Sequence, residues 1–199
     1  MVGSPKLSQL PPSTIDMLMA EHGEPYPVAR ATAWADRVLE LDIDPESVVG
    51  VYALEDGDGH ACALLVPSML AAVGAWRETR QERIALARDF SVAAVLAEQI
   101  TPSEFSRFGL QIAIEVSSLR DEGVLSDPRA ASSDLAALYQ IEHVIDEISH
   151  ARSTGTLDEA SYRSSGIEPD NLLPWLVAVL QKNGMVDATG ALVPASWAS

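Results

Sequence analysis

The chain has 199 residues, 47% of them apolar and 21% charged, with a formal net charge of −16 at pH 7. Length and composition fit one globular domain or two small ones, and exclude a disordered, collagen-like or low-complexity chain. No uninterrupted apolar run reaches the roughly 18 residues of a membrane-spanning helix.

The other bulk properties set expectations of the same kind. Residues 1–12 hold one lysine and no apolar stretch of the secretory type, so they read as a flexible lead. The lone cysteine, Cys62, points to a reducing cytoplasm. Residues 1–100 carry seven Lys/Arg against fifteen Asp/Glu, and residues 101–199 six against fourteen, so neither half is a basic arm. Nucleic acid and anionic membranes are therefore unexpected partners. Two lysines against eleven arginines in an Ala-rich chain suit a high-GC bacterial genome.

In chain order, Ser13 is placed to cap a short helix that Gly23 stops. Glu24-Pro25-Tyr26-Pro27 reads as an extended connector. Ala31, Trp34, Ala35, Val38 and Leu41 share one face of a helix over 28–41. Asp44-Pro45-Glu46 has the order of cap, first-turn proline and acid. Residues 48–54 and 61–66 form either two helices broken by glycines or a β-hairpin around Asp-Gly, and the helices are preferred. Pro67 opens a further helical segment toward Gln99, with or without a break near Asp89. Its Arg77, Arg80, Arg83 and Arg88 alternate with acids, which suggests an ion-paired face rather than an anion site.

Thr101-Pro102-Ser103-Glu104 is a capping box, and the helix after it places Phe105, Phe108, Ile112, Val116 and Leu119 on one face. Ser126–Ser133 reads as a loop and as the domain boundary. Thr156–Glu159 looks like a second capping box, for a short helix ending near Gly166. A helix with Pro174 in its first turn follows, stops at Asn183-Gly184, and leads into a hairpin over 185–193. The expected architecture is mainly α: a helical domain over 13–125 and a small module with one hairpin over 133–195.

Enzyme signatures are absent: there is no phosphate loop, Gly-x-Ser-x-Gly elbow, His-Glu-x-x-His or paired-cysteine motif. Cys62 follows His60 by two residues but is read as packed. Asp56-Gly57-Asp58-Gly59 lacks the glycine and terminal acid of a calcium loop. One constellation is a candidate metal site. On the helix 134–152, His143, Glu147 and His150 fall within about 60° of each other at about 100° per residue. Glu147-x-x-His150 matches the spacing used by di-metal helical bundles. No second Glu-x-x-His accompanies it, and Leu138, Ile141, Val144, Ile145 and Ile148 lie opposite, so a solvated face is the preferred reading. No cofactor is expected.

The order helix, helix, turn, helix, hairpin, with Leu176, Leu180, Gly184, Met185, Val186, Gly190 and Leu192, resembles a winged-helix module. It is similar to the non-DNA-binding lobe through which some small-molecule methyltransferases dimerise. The resemblance covers about sixty residues and implies protein contact, not methyl transfer, because no Gly-rich cofactor loop accompanies it. The helix over 172–182 offers Lys182 alone as a positive charge, too little to read duplex DNA. Its apolar arc is about 200° wide, roughly twice what one core buries. Leu173, Trp175 and Val177 therefore become candidate contacts with a second copy or another protein. The leading expectation is a non-catalytic interaction or regulatory protein. A helical enzyme or enzyme subunit with a metal or small-molecule site is the alternative, and an acidic inhibitor of a nucleic-acid-binding protein the third.

Overall fold

A computed structural model describes residues 9–20, 24–41 and 46–198. The chain is mainly helical, and among the described residues there is no β-strand. The stops and caps expected at Gly23 and at Asp44-Pro45, and most of the N-terminal lead, lie outside the described residues. The chain divides into two compact units, Met1–Phe90 and Ser91–Ser199. The division falls inside a helix and not in the Ser126–Ser133 segment.

The first unit is built from α1 (Thr14–Leu18), α2 (Val28–Leu39), α3 (Glu46–Val49), a 3-10 turn (Gly50–Ala53) and α4 (Gly59–Ala72). It also holds the start of α5 (Arg80–Leu96). On α2 the expected stripe is the buried one: Ala31, Trp34, Ala35 and Val38 lose contact with solvent. Leu41, beyond the helix end, stays exposed. The 48–66 region takes the helical alternative, because Val48, Val51, Cys62 and Val66 bury at helical spacings.

Pro67 does not open a helix; it lies inside α4. A mid-helix proline costs about 3 kcal/mol, and buried Cys62, Val66, Met69 and Leu70 on both sides of it offset that loss. The helical run expected toward Gln99 is broken instead at Gly74, whose φ of 72° is the left-handed conformation that ends helices. The Ala75 N–H returns to the Leu70 carbonyl at 2.8 Å to close the turn. Helix α5 then starts at a capping box that the sequence reading did not assign. The Thr79 N–H donates to Glu82 at 3.1 Å, and the Glu82 N–H donates to the Thr79 hydroxyl at 3.1 Å.

The second unit contains α6 (Pro102–Asp121), α7 (Pro128–Thr154), α8 (Glu159–Ser164) and α9 (Leu173–Lys182). The Thr101/Glu104 box caps α6 as its sequence dictates, and all five residues of the expected apolar face are buried. Helices α6 and α7 pack on each other. The loop expected over Ser126–Ser133 is short, because Asp127 accepts from the N–H groups of Arg129 and Ala130 and starts α7 at Pro128. Helix α8 is capped by Asp158, which accepts from the Ser161 N–H at 3.2 Å; Thr156 is not its cap. In place of the expected hairpin there is a single antiparallel bridge, Val186 to Leu192. The Asp187 carboxylate holds this turn by accepting from the Thr189 N–H (2.8 Å), the Thr189 hydroxyl (2.7 Å) and the Ala191 N–H (2.9 Å). The Asp187 N–H donates to the Ala191 carbonyl at 2.8 Å and the Val193 N–H to the Met185 carbonyl at 2.9 Å, one on each side of the bridge.

Candidate functional site

The residues singled out from sequence sit on α7 and α9. On α7, Ala131, Leu135, Leu138, Ile141, Ile145 and Ile148 form the buried stripe. A helix turns 100° per residue, so His143, Glu147 and His150 must lie off that stripe, and all three are exposed. Among the described residues, no three His, Cys, Asp or Glu side chains stand together as a group that can hold a metal ion. His143, Glu147 and His150 are thus not brought together as a ligand set.

Two of them do meet something else. After α7 ends at Gly155, in the left-handed conformation at φ 69°, the chain folds back as α8 and leaves a groove of about 490 Å³ between the helices. One wall is α7, with Glu147, His150 and Ala151; the other is α8, with Asp158, Ser161, Tyr162 and Ser165. Val144 and buried Ile167 give it apolar surface. His143 is not part of it. Burial raises the Tyr162 phenol above its ordinary value, and the hydrogen bond and charge of Glu147 across the groove raise it further. Sequence reasoning missed the groove because it depends on how α8 folds back after the Gly155 stop, and because the cap of α8 was expected at Thr156 rather than at Asp158.

Helix α9 carries the candidate contact residues. Leu176, Val179 and Leu180 are buried, whereas Leu173, Trp175 and Val177 are half-buried. Stepping 100° per residue places Trp175 on one shoulder of the buried stripe and Leu173 with Val177 on the other. The three therefore rim the stripe on both sides and are not one contiguous patch. Pro174 falls in the first turn, as its missing N–H requires, but neither Asp170 nor Asn171 caps the helix. Asp170 instead pairs with Arg152, whose guanidinium also donates to the Pro169 carbonyl at 2.8 Å.

Neither protein-family models, curated proteins nor solved structures give a match to this chain.

Two arginines of the first unit, Arg77 and Arg83, are engaged at a turn. Arg77 donates to the Trp76 carbonyl at 2.7 Å and the Gly74 carbonyl at 3.1 Å. Arg83 lies 5.0 Å from the Trp76 ring centroid and donates to the carbonyls of Arg77 and Glu78. Arg88 is buried and pairs with Asp89 at 2.7 Å. Arg77 and Arg83 thus fasten the 74–79 turn, whereas Arg88 makes an ion pair with an interleaved acid as expected. Cys62 is buried, and burial pushes its thiol up, away from the reactive thiolate. The described residues include no helix long and apolar enough to cross a membrane.

Proposed function

We propose that this chain is a non-catalytic protein-interaction protein whose contact surface is built around α9. One observation carries the reading: the apolar surface of α9 exceeds what its own unit buries, leaving Leu173, Trp175 and Val177 half-exposed beside a fully buried stripe. Tryptophan is the side chain most enriched at the energetic centre of interfaces, and Ile114, Val124, Tyr139 and Val193 add exposed apolar surface to the same unit.

The order α7, α8, α9 followed by a one-bridge turn supports the finer reading of residues 133–195 as a winged-helix-like module that binds protein. The regulatory role, the cytoplasmic location and the bacterial source belong to the same proposal. The second unit carries six Lys/Arg against fifteen Asp/Glu, a net charge of −9, which disfavours a nucleic-acid partner.

The first partner to test is a second copy. Light scattering coupled to gel filtration at about 100 μM is expected to give a dimeric mass, lowered by Trp175→Ala. Val177→Asp on the other shoulder shows whether both sides of the stripe take part. A monomeric wild type directs the search to another protein, through a photo-crosslinking residue at position 177 in native-host cells. A monomer that crosslinks to no defined protein overturns the proposal.

A further inference from the structure

We propose that the groove between α7 and α8 binds an organic cation, an ammonium or amidinium group on a small apolar body. The site is separate from the rim of α9, so it stands or falls independently of the interaction proposed above.

The volume of the groove, about 490 Å³, lies within the range of small-molecule sites, roughly 300–1,000 Å³. Its composition sets the sign of the ligand. Glu147 projects from one wall, where it accepts a hydrogen bond from Tyr162, and Asp158 from the other, and neither makes an ion pair with a described residue. The arginines nearest in sequence are held elsewhere: Arg152 by Asp170, and Arg163 by Glu159 at 2.7 Å and Glu168 at 3.0 Å. The two walls therefore present carboxylates without the compensating cations that the same helices carry on their other sides.

Further observations shape the ligand. Asp158 uses one oxygen, Oδ1, to cap α8, which fixes its carboxylate at the groove edge. Tyr162, half-buried on the same wall, supplies an aromatic ring, and ammonium and guanidinium groups are attracted to such faces. Val144, Ala151 and Ile167 offer apolar contact for the body of the ligand. A net charge of −9 on the unit draws cations and repels anions.

The same chemistry can come from a free amine or amidine, or from an arginine side chain presented by a partner protein. The test uses benzamidine, its neutral analogue benzamide, and the peptide acetyl-Gly-Arg-Gly-amide, each titrated into the ¹⁵N-labelled full chain. The expected result is saturable amide shifts confined to about residues 144–167, with a Kd on the order of 0.1–1 mM and weakening by added salt. Glu147→Gln, an exposed and isosteric change checked for intact helicity by circular dichroism, is expected to weaken binding about three- to fivefold. Saturation by benzamidine without the peptide identifies a small-molecule site. Saturation by the peptide without benzamidine identifies an arginine pocket. Either supports the proposal. Absence of saturable shifts with both probes overturns it, as does benzamide binding as tightly as benzamidine or a Glu147→Gln titration indistinguishable from wild type.

Discussion

Each unit buries a tryptophan completely, and the two solve the problem of the indole N–H differently. In the first unit Trp34 donates to the Thr14 hydroxyl at 2.8 Å, and that hydroxyl donates onward to the Pro11 carbonyl at 2.7 Å. In the second, Trp197 donates to the buried carboxylate of Asp134 at 2.8 Å, across 63 positions of sequence. The neighbouring strap is tied by the Ser126 N–H, which donates to the Trp197 carbonyl at 3.2 Å. A neutral relay tolerates loss of its donor, because Thr14 keeps its own acceptor. Loss of the Trp197 N–H instead withdraws a hydrogen bond from a buried acidic side chain, which costs more.

The largest expected effect is loss of either ring. Trp34→Ala and Trp197→Ala each remove a fully buried indole and should cost about 3–5 kcal/mol, read from urea denaturation. The comparison itself is sharpened by Trp→Phe at both positions, which keeps most of the apolar volume and deletes the N–H. Trp197→Phe should then be the more destabilising by about 1 kcal/mol, since it withdraws a donor from Asp134. Equal costs at the two sites would break the distinction between relay and carboxylate.

The next effects concern the capping boxes, one at the start of α5 and one at the start of α6. Thr79→Ala and Thr101→Ala should each cost about 1 kcal/mol. Both boxes also make stability depend on pH in the acid range. Hydrogen bonds from the Thr79 side chain and backbone hold Glu82 below its ordinary value of 4.5, and those from Thr101 do the same for Glu104. A carboxyl lowered in the folded state contributes stability that is complete above the unfolded value. That stability is lost as pH falls through the folded one. Unfolding followed from pH 6 down to about pH 3 should therefore show stability falling below about pH 4.5. The fall should be shallower in Glu82→Gln and Glu104→Gln.

The same contrast between local and distant determinants explains what was legible in the sequence. The α6 cap and its five-residue stripe, the α2 stripe through Val38 and the stop at Asn183-Gly184 depend on neighbours within a few residues. Pro67 misled because the burial of Cys62, Val66, Met69 and Leu70 outweighed a local helix-breaking rule. The Thr79/Glu82 box went unread because the expected helix ran through it. Trp197 had no visible role, since its partner Asp134 comes near only through tertiary folding. At the candidate site, the exposure of His143, Glu147 and His150 followed from helical geometry. The groove did not, because α8 forms its other wall. On α9 the width of the apolar arc was legible, whereas the division of its rim between two shoulders became plain only beside the observed burial.

The proposal that α9 presents a protein-binding surface is tested most directly by the accessibility of Trp175. The measurement is iodide quenching of wild-type fluorescence, with a Trp175→Phe variant subtracted, at about 1 μM and again at about 100 μM or with the crosslinked partner added. The account predicts that Trp175 emission is quenched in the dilute chain and shielded once the partner is bound. A Trp175 signal shielded equally at both concentrations, with a monomeric mass throughout, would contradict it and make this flank part of the chain's own core.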